Sequence, residues 1–120
     1  MNVLVLGSGG REHAICMALK KSSSLGSIWC FPGNAGTHQL CNKDTLSNLD
    51  FLSILNFCKA KKVDIVIPGS EEYLRDGITD YLNLEGIKVL GPTKAAAQLE
   101  SSKIFAKKIC KISNIKTAKW

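Results

Sequence analysis

The chain of 120 residues is poor in several features that would assign it to large protein classes. No apolar run approaches the ~18 residues that a membrane-spanning helix requires. The run that begins at Val3 is interrupted at Gly7, and no basic stretch precedes a long apolar core, so no secretory signal is expected. Arginine occurs only at Arg11 and Arg75, so the net charge of +6 is carried by lysine. Nucleic-acid binders cluster arginine or interleave it with aromatics, and that pattern is missing. Six lysines fall between Lys103 and Lys119, which reads as a solvated helix face. No nucleic-acid or membrane partner is expected, and the positive charge favours small anionic molecules. The five cysteines (Cys16, Cys30, Cys41, Cys58, Cys110) are odd in number, widely spaced and without a C-x-x-C pair. That argues against a zinc site and a disulfide framework, and for reduced thiols packed as small hydrophobes in a cytoplasmic protein. There is no internal repeat, no low-complexity segment, no metal-ligand cluster and no local Ser/His/Asp or Cys/His arrangement.

What is present is an alternation of short apolar runs and longer helical patterns. With 45% hydrophobic residues, a chain of this length closes one core without a metal or disulfide staple. Strands are expected at Val3–Leu6, Ser27–Phe31, Asp64–Ile67 and Ile87–Leu90, with a weak further strand near Gln39–Asn42. Helices are expected over Arg11–Lys21, over Asp50–Ala60 with Phe51, Leu52, Leu55 and Cys58 on one side, and over Glu71–Leu84 with Gly86 as its C-terminal cap. Thr93 caps a short helix through Leu99, and Ser101 or Ser102 caps another to about Lys111. This order predicts an α/β fold, Rossmann-like, with a parallel sheet of about four to five strands and helices on both faces. The segment from Ile112 to Trp120 ends on an apolar tryptophan with nothing to pack against, so the chain reads as the N-terminal part of something longer.

The glycines carry the functional signal. Val3–Leu6 runs into Gly7-Ser8-Gly9-Gly10 and then Arg11-Glu12-His13. A strand feeding a helix through glycines offers free backbone N–H groups at a helix start, which suits an anion such as phosphate. A plain tight turn is the alternative. A dinucleotide fingerprint requires a third small residue where Glu12 stands, and Glu12 would crowd helix–strand packing there. It also requires an acidic residue at the end of the second strand, which instead reads Trp29-Cys30-Phe31-Pro32. Both count against a stand-alone Rossmann module binding NAD or a mononucleotide, which is the alternative reading. No Gly-Lys-Ser/Thr follows, so the loop is not a P-loop. Pro32–Thr37, Pro68–Glu71 and Gly91–Thr93 close the other strands, and the four loops form one rim. Glu71 at a helix start serves equally as a dipole-stabilised first-turn residue or as a ligand contact. Arg11 can hold a phosphate or carboxylate bidentately or stand exposed. His13 and His38 read more readily as structural than as ligand contacts.

The stretches "VLVLGSGGREHA", "PGNAGT" and "GPTKAAAQLESSKIFAKK" together resemble the N-terminal region of the phosphoribosylamine–glycine ligase family, the glycinamide ribonucleotide synthetases of the ATP-grasp superfamily. The resemblance runs over essentially the whole chain, in order and spacing. It implies a preATP-grasp domain over residues 1–100 and the start of an ATP-grasp region over 101–120. It implies a longer ligase that joins glycine to 5-phosphoribosylamine with cleavage of ATP to ADP and phosphate, the second step of purine synthesis. The glycine carboxylate would be phosphorylated, and the amine of phosphoribosylamine would attack the acyl phosphate. ATP and magnesium or manganese would be held mainly beyond these residues, so the fragment alone would be inactive and contain no catalytic or metal residue. The resemblance further implies that Gly7, Ser8, Gly9, Gly10, Arg11 and Glu12 line the phosphoribosylamine site, with Asn34, Gly36 and Thr37 beside it. The family's next loop usually reads G-P-E-x-P-L-x-x-G. Here Gly69, Glu71, Leu74 and Gly77 match it, and Ser70 and Tyr73 replace the two prolines. Gly69 and Glu71 would thus join the site, with Glu71 approaching the ribose hydroxyls, and Lys103 would lie on the approach to the nucleotide. Whether the phosphate or the ribose meets Gly7–Gly10 is open at this level.

Overall fold

The computed structural model describes residues 1–118, so the expectation for Trp120 lies outside the described residues. Four strands form one parallel sheet: β1 (Val3–Gly7), β2 (Ile28–Pro32), β3 (Ile65–Pro68) and β4 (Lys88–Val89), in the order β2-β1-β3-β4. Between and after them run α1 (Gly10–Lys20), α2 (Ala35–Leu40), α3 (Phe51–Lys61), α4 (Glu71–Arg75), α5 (Ile78–Leu84), α6 (Lys94–Ser101) and α7 (Lys103–Ile112).

The central strand β1 is buried along its whole length, which is why it reads as continuously apolar rather than alternating. Its side chains alternate between two cores. Leu4 and Leu6 join Trp29, Phe31 and Val66 against α3 and α5, through Ile54, Leu55, Phe57, Cys58, Ile78 and Leu82. There the Phe57 ring meets Trp29 and Phe31 edge-on, with centroids at 5.4 and 5.2 Å. Val3 and Val5 face the other way, onto Ile28, Cys30, Cys16 of α1 and Cys41 just past α2. All five cysteines are unbridged, and the four buried ones, Cys16, Cys30, Cys41 and Cys58, pack as small hydrophobes, while Cys110 is partly exposed. Contact with the Cys30 sulfur, together with burial, pushes the Cys16 thiol up, and burial alone pushes Cys58 up to about 11.

Three expectations are corrected. Residues 39–42 form no strand; the chain is helical over Ala35–Leu40. The cause is local: Asn34 Oδ1 accepts from the Thr37 N–H at 3.0 Å, and Thr37 Oγ1 accepts from the Asn34 N–H at 2.8 Å. This reciprocal cap starts a helix too short to display a period. Helix α3 turns Ile54, Leu55, Phe57 and Cys58 inward and leaves Leu52 60% exposed, because a residue two positions from Ile54 points to the opposite side. The single helix expected over 71–84 is two helices. Gly77 takes φ +91° between them, a conformation that favours glycine, and turns the chain from α4 into α5. Elsewhere the caps act as expected: Thr93 accepts from the Ala96 N–H, and Ser102, rather than Ser101, caps α7 by accepting from the Phe105 N–H.

Candidate functional site

The strand order determines where a crevice opens. From β1 the chain passes through α1 to β2 on one side, then crosses through α2 and α3 to β3 on the other. The loops leaving β1 and β3 therefore diverge, and such sheets bind ligands beyond the carboxyl ends of the strands at that point. A cleft of about 510 Å³ lies there, lined by 7–12, by Pro32 and by 69–73. It unites eight of the residues singled out from sequence: Gly7, Ser8, Gly9, Gly10, Arg11, Glu12, Gly69 and Glu71.

Glu12 sits at its floor and is only 5% exposed. Its Oε2 accepts a hydrogen bond from the Gly9 N–H at 2.7 Å. The expected crowding is absent because the neighbours are glycines. A Cβ at Gly7 would fall 2.5 Å from the Glu12 Cδ, and a Cβ at Gly69 would fall 2.0 Å from its Oε1. Gly7 and Gly69 thus make room for a carboxylate of the protein itself. Arg11, on the same first turn of α1, donates from Nη1 to the Gly69 carbonyl at 3.0 Å. Two adjacent side chains of one helix turn therefore engage both loops.

Asn34 does not line the cleft but braces it. Its Nδ2 donates to the Ser8 and Gly9 carbonyls at 3.0 and 3.2 Å. Thr37 is fully buried, and its hydroxyl is engaged in the α2 cap. Gly36 is packed against the His13 ring, where a Cβ would fall 2.5 Å from Cε1, and His38 Nε2 lies 3.1 Å from the Pro32 carbonyl. Both histidines thus have structural surroundings. Lys103 stands exposed at the start of α7, outside this cleft.

Four lining residues were not singled out as site residues from sequence: Pro32, Ser70, Glu72 and Tyr73. The signal was available for the last three, since they flank Glu71 in the same loop and helix start. Tyr73 is half-buried, and burial, followed by the adjacent Glu72 carboxylate, pushes its phenol up. Among the described residues the lining carries three carboxylates, Glu12, Glu71 and Glu72, and one cation, Arg11. No group of three His, Cys, Asp or Glu among the described residues is placed to hold a metal ion, and no helix among them is long and apolar enough to cross a membrane.

The family model described as "Phosphoribosylglycinamide synthetase, N domain" matches residues 1–100. Phosphoribosylamine–glycine ligase of Mesorhizobium japonicum is 45% identical over 120 residues, covering 100% of this chain and 28% of that protein. The trifunctional purine biosynthetic protein adenosine-3 of Bos taurus is 43% identical over 121 residues, covering 98% of this chain and 12% of that protein. The crystal structure of phosphoribosylamine–glycine ligase from Thermotoga maritima superposes with a TM-score of 0.67 at 34% identity, covering 99% of this chain and 26% of that one. The chain thus spans little more than a quarter of the ligases it matches. With its parallel sheet, its glycine-lined cleft and this match over 1–100, the chain belongs to the phosphoribosylglycinamide synthetase N-domain family.

Proposed function

We infer that this chain supplies the phosphoribosylamine-binding part of an ATP-dependent ligase that joins glycine to 5-phosphoribosylamine, releasing ADP and phosphate. The observation that carries the reading is the cleft between the ends of β1 and β3, built within the matched residues from a glycine loop, Glu12 and Glu71. Phosphoribosylamine offers hydroxyls and an amine, all hydrogen-bond donors, and carboxylates accept from them strongly. In this reading Glu71 and Glu12 hold and orient the ribosylamine, Ser8, Gly10 and Arg11 form the wall of the cleft, and Asn34 keeps the loop shaped.

Residues 1–100 then form the preATP-grasp domain and 101–120 begin the ATP-grasp region, in keeping with the end of the family match at residue 100 and with an α7 that buries no residue. ATP supplies the phosphoryl group that activates the glycine carboxylate, and magnesium or manganese supplies charge neutralisation on its phosphates. Among the described residues no group of three His, Cys, Asp or Glu is placed to hold that metal, and in this reading the rest of the ligase holds it. Lys103 lies on the nucleotide approach. The enzyme works in the cytoplasm on small molecules.

The test is ADP release by the full-length protein. Release that requires both glycine and phosphoribosylamine is expected. Release independent of either, or none with both present, overturns the reading.

A further inference from the structure

A glycine loop opening a helix suggests an anion site, but here the loop already holds one. The Gly9 N–H is engaged by Glu12 Oε2 at 2.7 Å. Gly7 and Gly69 leave room for nothing larger than a hydrogen on the faces they turn toward this carboxylate. Glu12 Oε1 has no hydrogen-bond donor among the described residues, yet it is not among the sealed-off buried atoms, and Glu12 belongs to the cleft lining. Glu71 and Glu72 add two more carboxylates to the wall, and the single guanidinium, Arg11, has one N–H turned to the Gly69 carbonyl.

We propose that Glu12 sets the direction in which the ligand lies: its free oxygen accepts from the amine or hydroxyl end of a sugar phosphate, and the phosphate points away from the Gly7–Gly10 loop. This rests on the reading of the cleft as a phosphoribosylamine site and resolves the pose within it. The physics is one of sign. A phosphate at the loop would lie beside the Glu12 carboxylate, which is only 5% exposed, so the repulsion between the two like charges is screened less than between two surface groups. An ammonium or hydroxyl placed there gains a charge-assisted hydrogen bond instead. Glu12 is therefore a specificity-determining residue, and the loop is a hydroxyl or amine site in the guise of a phosphate site.

The two poses give opposite responses to one substitution. Glu12→Gln keeps the shape and an oxygen that can accept from the Gly9 N–H, but removes the charge. Titration of the full-length protein with ribose 5-phosphate, a stable stand-in with a hydroxyl in place of the amine, is expected to give a Kd raised about tenfold in E12Q, the scale of one hydrogen bond to a charged group. Binding tightened by E12Q would place the phosphate at the loop and overturn the proposal. Unchanged binding would reduce Glu12 to a loop brace and also overturn it. A second measurement requires no variant. On the wild type, a cationic iminoribitol is expected to bind at least tenfold more tightly than neutral ribose, and equal or weaker binding refutes the assignment. If ADP release depends on both substrates while either titration gives the contrary sign, the function stands and only the pose falls. If ribose 5-phosphate does not bind and no ADP is released, both fall.

Discussion

Replacing Gly69 with alanine tests the packing at the floor of the cleft most directly. The backbone at Gly69 has no positive φ, so alanine is not strained there, unlike at Gly7 with φ +140°. The nearest obstacle is Glu12: the new methyl would stand 2.0 Å from Oε1 and 2.6 Å from both Cδ and Cγ, far inside contact distance. The carboxylate must swing toward the open side of the cleft, and it then loses the bond to the Gly9 N–H. A hydrogen bond to a charged group contributes about 1.5–3 kcal/mol, so Gly69→Ala is expected to destabilise by about 2 kcal/mol. The assay is equilibrium urea unfolding of four proteins: wild type, Gly69→Ala, Glu12→Ala and the double variant. Glu12→Ala removes both the bond and the overlap, so adding Gly69→Ala to it should cost under about 0.5 kcal/mol. The cycle should thus return a coupling above about 1 kcal/mol, as contacting residues do. If Gly69→Ala costs the same in both backgrounds, the glycine does not serve the carboxylate and the account of the cleft floor is wrong.

Three further outcomes follow from other parts of the molecule. Phe57→Ala empties the space between Trp29 and Phe31 and should cost about 3–5 kcal/mol in the same unfolding assay; a loss below about 1 kcal/mol would mean that the edge-on rings do not hold α3 to the sheet. Asp44 accepts from Lys61 and from the Trp29 indole N–H at 2.9 and 2.8 Å, and these bonds, Lys61's first, hold its carboxyl below the usual value. A depressed folded-state pKa contributes stability that is present above about pH 4 and lost as the pH falls below it; the tryptophan fluorescence change over that range should therefore disappear in Asp44→Asn. Lys103→Ala should raise the KM for ATP and leave ribose 5-phosphate affinity unchanged, since Lys103 lies outside the cleft; the reverse pattern would remove it from the nucleotide approach.

The fold was legible where one kind of signal ruled. Val3–Leu6 reads as a buried strand from its apolar run alone, and the glycine and proline punctuation marks all four strand ends. The errors fall where two signals compete. Gly77 sits inside a helical period and breaks it by backbone conformation, which an apolar count does not weigh. Helix α2 is specified by Asn34 and Thr37 bonding to each other, a signature of two residues rather than of a pattern. At the site, the lining loops were visible because strand ends are visible. The role of Glu12 was not, because Gly7, Glu12 and Gly69 meet only once β1 and β3 lie side by side. A glycine that makes room for a ligand and one that makes room for the protein's own carboxylate look the same in sequence.

The edges of the sheet carry a consequence for the behaviour of the molecule in a crowded solution. A bare strand edge recruits other chains by offering them unpaired backbone groups. The edge strand β4 has only two residues, one of them the exposed Lys88. At the other edge, the outward N–H of Ile28 donates to Asn42 Oδ1 at 3.0 Å, and the Ile28 carbonyl accepts from the Asn42 N–H at 2.8 Å. The same strand ends on Pro32, which has no N–H to offer. One rim is too short to template a neighbour, and the other has its outward groups taken at Ile28 and ends on a residue without an N–H, so each leaves little backbone for another chain to pair with.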